Sequence, residues 1–244
     1  MKELLIIIPA YNEEFAIGKL LDSILENGYG EIADILVIND KSSDNTENIV
    51  SMYGKPVNMI THIFNMGYGA TLKTGYVYAT KNNYQYVIQM DADGQHGVNN
   101  IYNLYEKIKS KNAADIIIGS RFVKGSISFK ISLLKKIAIV FFQFLIKVFT
   151  KNKITDPTSG LQALNRRTFS YYAKFMNFDP RYPDANMIIK MLLLGYKIEE
   201  IPSTMYERTM GESIHSGLKP ILYMVLMMLS TLTIILQYKF LKAK

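Results

Sequence analysis

Cysteine and tryptophan are both absent from this chain of 244 residues. Without cysteine there is no disulfide and no zinc site built on thiolates, although the compartment stays open because many secreted proteins also lack cysteine. Hydrophobic residues make up 49% of the sequence, which excludes a disordered chain. The opening MKELLIIIPAYNEE has a short apolar run and no small-residue cleavage site, so we expect no secretory signal and a chain that starts in the cytoplasm.

Acidic residues are missing from two long segments of a chain whose net charge is +7. Residues 116–155 contain one arginine and seven lysines but no acid, and the charged residues after Glu212 are four lysines. Both segments are also strongly apolar. Basic and apolar residues together fit an anionic membrane surface better than nucleic acid, so we expect a membrane partner and no nucleic-acid partner.

Five short apolar runs predict strands, and helical patterns alternate with them. Strands buried on both faces that alternate with helices predict an α/β fold with a doubly wound, mostly parallel sheet flanked by helices. Ligands of such sheets bind beyond the carboxyl ends of the strands, so we expect the functional site there. The predicted strands cover residues 3–10, 33–40, 57–64, 84–90 and 114–122, and the first predicted helix covers residues 13–27.

Two apolar helical segments are predicted in the second half of the chain. Residues 128–152 form a helix whose polar side chains lie within an arc of roughly 60°. Such a helix either lies in a membrane interface, which we favour, or is buried with its lysines reaching out. Residues 221–236 would be about 24 Å long as a helix, against a hydrocarbon core of about 30 Å. We expect this segment to dip into or lie along the bilayer, with a tilted span or a helix pair as the alternative.

Two aspartates one residue apart, Asp91 and Asp93, follow the fourth predicted strand in the stretch YVIQMDADGQH. Side chains at i and i+2 of an extended chain point the same way, and a hard cation such as Mg²⁺ or Mn²⁺ would relieve their repulsion. Gln95 offers a third oxygen, and a cation with few protein ligands keeps positions free for the oxygens of a diphosphate. The alternative is a simple turn of good turn residues. The polar ends of the other predicted strands favour the metal site.

Seven motifs, taken in order, resemble the inverting family 2 glycosyltransferases, specifically the dolichol-phosphate mannose synthase-like (polyprenyl-phosphate hexosyltransferase) branch. They are IIIPAYNEE, VINDKSSDNT, NMGYGATLKTG, QMDADGQH, GSRF, DPTSGLQALNRR and YERTMGES, and the resemblance covers roughly residues 4–216. It implies the GT-A fold, a nucleotide-sugar donor, Mg²⁺ or Mn²⁺, and work at the cytoplasmic face of the cell membrane. It also divides the chain into a nucleotide-sugar half (1–122), an acceptor half (123–216) and an apolar, membrane-associated segment (217–244).

The resemblance implies roles for the residues of the matching motifs. The base-contacting motif of the family usually reads DDGS, whereas this chain has NDKS, so the identity of the donor base stays open between UDP and GDP. The chain also lacks the tryptophan of the Q-x-x-R-W motif, which points away from cellulose-type or chitin-type synthesis. Residues implied to frame the base and ribose are Pro9, Ala10, Tyr11, Glu13 and Asp40; Asp91, Asp93 and Gln95 would hold the metal and diphosphate; Arg121 and Arg208 would neutralise phosphate charge.

A polyprenyl phosphate acceptor would attack with one of its own phosphate oxygens, which needs little help from a general base but does need cationic residues. Lys135 and Lys136 of the basic helix are candidates for binding that phosphate. Asp156 and Asp184 are candidates for orienting the acceptor, or for the base if the acceptor is a sugar hydroxyl. Each also has a structural interpretation as a turn or helix cap, and Tyr68 is interpreted as a packing residue.

Three functions are compatible with the sequence, and the oligomeric state is open, a homo-oligomer included. We favour transfer of a hexose, with inversion, from a nucleotide sugar to polyprenyl phosphate. A second function keeps the reaction but gives it a saccharide acceptor in cell-surface polysaccharide synthesis. A third is a non-catalytic nucleotide-sugar binding protein, which the intact acidic and arginine residues disfavour.

Overall fold

A computed structural model describes residues 2–181, 183–207 and 219–240 of the chain. Each of the five predicted strands is present, with ends that differ from the predicted ends by up to three residues. The apolar runs form strands because their side chains are buried on both faces of the sheet. These strands are β1 (Leu4–Ala10), β2 (Ala33–Asn39), β3 (Val57–Thr61), β4 (Tyr86–Gln89) and β5 (Ile116–Ser120).

Two further strands, β6 (Gln162–Asn165) and β7 (Ile198–Pro202), complete a sheet of seven strands in the order β3-β2-β1-β4-β6-β5-β7. Strand β6 is antiparallel to both of its neighbours, β4 and β5, while the remaining pairs are parallel. The sheet is therefore mostly parallel, as predicted. Because β6 and β7 join the sheet of β1–β5, the predicted boundary at residue 122 falls inside one continuous sheet.

Helices cover both faces of the sheet, and successive residues of β1 show why. Leu5 and Ile7 point into one core, whereas Leu4, Ile6 and Ile8 point into the other. This alternation confirms the doubly wound architecture. The helices are α1 (Ile17–Glu26), α2 (Tyr29–Ile32), α3 (Thr46–Ser51), α4 (Tyr68–Lys81), α5 (Asn99–Lys109), α6 (Leu133–Thr150), α7 (Arg166–Ala173), α8 (Ala185–Leu193) and α9 (Lys219–Phe240).

The basic helix α6 has one buried and one exposed apolar face, and its place in a membrane interface stays a prediction. One face, with Ile139, Phe142 and Ile146, is buried in the core, while Val140 and Phe144 on the other face are each 61% exposed. The C-terminal helix α9 packs on α8. Within residues 2–181, 183–207 and 219–240, the model contains no helix with the length and apolar character needed to span a bilayer.

Candidate active site

The carboxylate of Asp91 lies just beyond the carboxyl end of β4 and lines a polar pocket of about 80 Å³. Its Oδ1 accepts a 2.9 Å hydrogen bond from the hydroxyl of Tyr68, at the first turn of α4. The backbone N–H of Asp91 donates to Nδ1 of His96 at 3.2 Å, which places the proton of the neutral imidazole on Nε2. Tyr68 is therefore more than the packing residue that its sequence context suggests, because it orients Asp91.

Asp93 and Gln95 are held by a tight turn that follows Asp91. Gly94 has φ +74°, a left-handed conformation, and the N–H of Gln95 donates to Oδ1 of Asp93 at 3.0 Å. Gln95 is also tied to Tyr206, whose N–H donates to the Gln95 carbonyl at 2.7 Å and whose carbonyl accepts from Gln95 Nε2 at 3.2 Å. Gln95 lines the pocket together with Asp91, whereas Asp93 is held by this turn next to Gln95 and is not among the residues that line the pocket.

The donor set at this turn fits a hard divalent cation. Two carboxylates and one amide are oxygen donors of the kind that Mg²⁺ and Mn²⁺ prefer, and the Asp91 side chain is 33% exposed to the pocket. Among the residues that the structure describes, no cluster of three or more histidine, aspartate or glutamate side chains forms a metal cage. Asp91, Asp93 and Gln95 would thus leave most coordination positions to phosphate oxygens and water.

Gly160 closes the pocket on the side opposite the turn. A Cβ atom at this position would lie 2.9 Å from Oδ2 of Asp91 and 3.0 Å from the hydroxyl of Tyr68. The carbonyl of Gly160 accepts a 3.0 Å hydrogen bond from Nε2 of Gln89 on β4, which holds the loop close. The sequence analysis missed Gly160 as a site residue, although its position in the DPTSG motif was a signal.

Arg121 lies directly after β5 and is held by Asp156 in a buried ion pair. Its Nε and Nη2 donate to Oδ2 and Oδ1 of Asp156 at 2.7 and 2.5 Å, and Nη2 also donates to Thr158. Asp156 is 0% exposed, and its N–H donates to Glu200 on β7. With its carboxylate enclosed against Arg121, Asp156 does not face the pocket as an acceptor ligand; we assign it instead to orienting Arg121.

Lys135, in the first turn of α6, also lines the pocket, and Asp184 immediately precedes α8. Desolvation lowers the pKa of Lys135, and the nearby charge of Arg121 lowers it further. Desolvation raises the pKa of Asp184 to about 6, and the charge of Asp91 adds to this effect. A hydrogen bond from the hydroxyl of Tyr223 acts in the opposite direction. The pocket is therefore lined by two cations, Arg121 and Lys135, and the carboxylate of Asp91, and the charge of Asp184 acts on this group without lining the pocket.

The implied nucleotide residues lie at the ends of β1 and β2. The carboxylate of Asp40 is buried and accepts hydrogen bonds from His62 at 2.7 Å and from the N–H groups of Met66 and Gly67 at 2.8 and 2.7 Å. Asp40 therefore holds the loop between β3 and α4, a role that sequence reasoning missed together with His62. Its contact with ribose stays a prediction, as do the roles of Pro9, Ala10, Tyr11 and Glu13, of which Tyr11 is 38% exposed and the other three are buried.

One candidate phosphate ligand, Lys136, is not among the residues that line the pocket, and another, Arg208, lies outside the described residues. Lys136 is exposed on α6 and does not line the pocket beside Lys135. Adjacent residues of a helix point about 100° apart, so one helix orientation cannot direct both lysines to the same phosphate.

A doubly wound sheet of this strand order, with two aspartates beyond its fourth strand, defines the fold as GT-A-type. Among solved structures, mannosyl-3-phosphoglycerate synthase from Rubrobacter xylanophilus has a similar fold, with a TM-score of 0.73 at 15% sequence identity over 100% of this chain and 76% of that one.

Sequence comparisons identify the family. The model described as Glycosyl transferase family 2 matches residues 5–172. An undecaprenyl-phosphate mannosyltransferase from Micrococcus luteus is 27% identical over 226 residues, 87% of each chain. A dolichol-phosphate mannosyltransferase from Pyrococcus furiosus is 31% identical over 222 residues, which cover 87% of this chain and 59% of that one. The chain belongs to glycosyl transferase family 2, in its dolichol-phosphate mannose synthase-like branch.

Proposed function

We propose that the protein transfers a hexose, with inversion, from UDP-hexose or GDP-hexose to polyprenyl phosphate at the cytoplasmic face of the cell membrane. The observation that carries this proposal is the polar pocket, whose lining brings Asp91 and Gln95 together with the cations Arg121 and Lys135. A donor diphosphate and an acceptor phosphate are both anions, and such a pocket offers each of them opposite charge.

An apolar groove beside the pocket supports a lipid-linked acceptor. The groove has a volume of about 210 Å³ and lies between α6 and α9, with Leu134, Ile137 and Phe141 on one wall and Met224 and Val225 on the other. Lys135 of the pocket directly follows Leu134 of the groove in the first turn of α6. An acceptor with a charged phosphate and an isoprenoid tail would match this junction of cation and apolar surface.

The reaction follows from the residues at the pocket. A phosphate monoester is largely dianionic at pH 7, so its oxygen can attack the anomeric carbon without a protein base. Arg121 and Lys135 would bring this nucleophile to the donor. Asp91, Asp93 and Gln95 would hold Mg²⁺ or Mn²⁺, which stabilises the charge of the departing nucleoside diphosphate. Direct displacement in one step inverts the anomeric configuration.

The relatives support the acceptor class, because the protein from Micrococcus luteus is named for undecaprenyl phosphate and that from Pyrococcus furiosus for dolichol phosphate. Membrane association is supported by the exposed apolar residues of α6, Val140 and Phe144, which lie on the same helix as Lys147. Apolar side chains beside lysines suit an anionic bilayer surface.

The proposal is tested with purified full-length protein, undecaprenyl phosphate, Mn²⁺ and a panel of labelled UDP-hexoses and GDP-hexoses. We expect one donor to give a product that extracts into organic solvent, releases sugar in mild acid and has the opposite anomeric configuration by NMR. Asp93→Ala should abolish transfer, whereas Glu106→Gln, a substitution in a surface ion pair with Lys109, should not. Failure of every donor to give a lipid product would refute the proposal, and transfer to a saccharide instead would establish the alternative acceptor.

A further inference from the structure

Helix α9 is joined to the N-terminal end of α8 by two side chains that are seven residues apart. The hydroxyl of Tyr223 donates a hydrogen bond to Oδ2 of Asp184. Two turns later, Oγ of Ser230 donates to Oδ2 of Asp179 at 3.0 Å and accepts from Nδ2 of Asn186 at 2.8 Å. Residues seven apart share one face of a helix, so both contacts belong to the face that α9 turns to the protein.

Of these two contacts, the one from Tyr223 reaches the active site. The carboxylate of Asp184 is electrostatically coupled to Asp91 and to Lys135, which both line the pocket. An ionised Asp184 favours the charged form of Lys135, whose pKa desolvation otherwise lowers. Among the described residues, the titratable and charged groups that act on Asp184 include Tyr68 of α4, Asp91 after β4, Arg121 after β5, Lys135 of α6 and Tyr223 of α9.

We propose that Tyr223 is a positioning residue through which the C-terminal helix acts on the active site: its hydroxyl fixes the Asp184 carboxylate, whose charge acts on Lys135 at the acceptor side of the pocket. This inference rests on the proposed function for the role of Lys135, but the contact itself does not. Helix α9 thus has a part in catalysis that is separate from any contact with lipid. A chain in which α9 is undocked loses the orientation of Asp184 while it keeps the donor side of the pocket.

The first experiment measures Asp184 directly, without any substrate. Full-length protein with ¹³C-labelled aspartate carboxyls is titrated by NMR, and the resonance of Asp184 is identified by its loss in Asp184→Asn. A hydrogen bond donated to a carboxylate favours its charged form, so its removal in Tyr223→Phe raises the pKa of Asp184. Since hydrogen bonds to charged groups are comparatively strong, the midpoint should move upward by about one pH unit.

The second experiment follows kcat and KM as functions of pH with undecaprenyl phosphate and the donor found in the panel. If transfer needs the ionised carboxylate of Asp184, kcat falls on the acidic side of the pH profile as this group is protonated. A higher pKa of Asp184 then moves this fall in kcat to higher pH. Tyr223→Phe should then be about tenfold slower than the wild type near pH 5 and almost equal to it at pH 8, because a shift of one pH unit changes the ionised fraction about tenfold only below the midpoint. The KM for the nucleotide sugar should not change.

Two controls separate positioning from a general loss of stability. Tyr84→Phe removes a matched hydroxyl-to-carboxylate bond, that of Tyr84 with Asp34 at 2.8 Å, far from the pocket. Ser230→Ala weakens the docking of α9 and removes hydrogen bonds to Asp179 and Asn186, but none of the Asp184 carboxylate. Neither control should move the Asp184 titration or the acidic limb of kcat.

The inference is overturned if Tyr223→Phe leaves the Asp184 titration unchanged, or if Ser230→Ala shifts it equally. A wild-type protein that transfers no sugar would refute the proposed function alone, because the NMR titration still decides whether Tyr223 controls Asp184.

Discussion

Arg121 and Asp156 form a buried ion pair whose contribution to the stability of the protein can be measured. The side chain of Arg121 is 5% exposed and that of Asp156 is 0% exposed, and two parallel hydrogen bonds join them. A buried ion pair contributes little net stability, but removal of one partner leaves an uncompensated charge. Asp156→Ala should therefore lower the free energy of unfolding by about 3–5 kcal/mol, as measured by urea denaturation.

The control for Asp156→Ala is an ion pair at the surface. Lys107 and Glu199 lie 2.6 Å apart with side chains that are 41% and 46% exposed. Exposed pairs of this kind contribute at most about 1 kcal/mol, so Glu199→Ala should have a much smaller effect. Equal losses for the two variants would mean that the Arg121–Asp156 pair is solvated in solution, contrary to its burial in the structure.

Gly160 permits the close approach of a backbone segment to Asp91. The methyl group of Gly160→Ala would meet Asp91 Oδ2 at 2.9 Å and displace the carboxylate. Misplacement by about 1 Å can cost roughly 100-fold in rate, so we expect kcat/KM to fall between ten- and 100-fold while the fold is retained. Gly54→Ala is the matched control, since a Cβ there would meet no atom within 4 Å. Full transfer activity in Gly160→Ala would show that the Asp91 carboxylate need not keep this position.

Residues that share a site can be predicted from the sequence when they lie close together in the chain. Partners that are far apart in the chain cannot be predicted in this way. Asp91, Asp93 and Gln95 follow one strand within five residues, so their spacing together with the polar ends of the other predicted strands favours a shared site. Arg121 and its partner Asp156 are 35 positions apart, and Tyr68 is 23 positions from Asp91. Such pairs meet only because the sheet places their strands at one edge.

At the scale of elements, strands with continuous apolar runs were predictable and the others were not. The sequence of β6 is QALN, and that of β7 is IEEIP with two glutamates, so neither has the apolar period that marks a strand. Both are strands because the edges of β4 and β5 offer unpaired backbone groups, a property of the assembled sheet. Helix α6 was predicted from its period, but the division into a buried and an exposed apolar face depends on the packing of α8 against it.

The exposed apolar face of α6 is predicted to bind the membrane surface. Val140→Glu combined with Phe144→Glu places two charges on that face, where burial in a bilayer interface would then be costly. We expect binding to vesicles that contain anionic lipid to fall at least tenfold in a sedimentation assay, with the melting temperature unchanged. Met52→Glu, at a residue that is 78% exposed at the end of α3, is the control and should bind as the wild type does. If the double variant binds normally, α6 is not the membrane-contacting face.

At the scale of the whole molecule, the pocket collects charges of both signs from elements spread along the chain. Asp91 follows β4 in the first half of the chain, whereas Lys135 comes from α6 in the second half, and Asp184, whose charge acts on Lys135, immediately precedes α8. Arg121 lies where the two halves meet. The donor side can therefore bind its ligand with residues that precede α6, while the acceptor side needs α6, α8 and α9 to be in place.

Because the donor side of the pocket is formed by residues that precede α6, we predict that donor nucleotide and divalent cation together stabilise the folded protein. A ligand that binds only the folded state at 100 times its Kd adds about 2.7 kcal/mol, and each kcal/mol raises the melting temperature by about 2–4 °C in a chain of this size. UDP or GDP with Mn²⁺ should therefore raise the melting temperature by several degrees, and the more effective nucleotide identifies the donor base. EDTA or Asp93→Ala should remove the increase, whereas Tyr223→Phe, which alters only the acceptor side, should retain it. A nucleotide that stabilises the protein equally in EDTA and in Asp93→Ala would place the diphosphate away from Asp91 and Asp93.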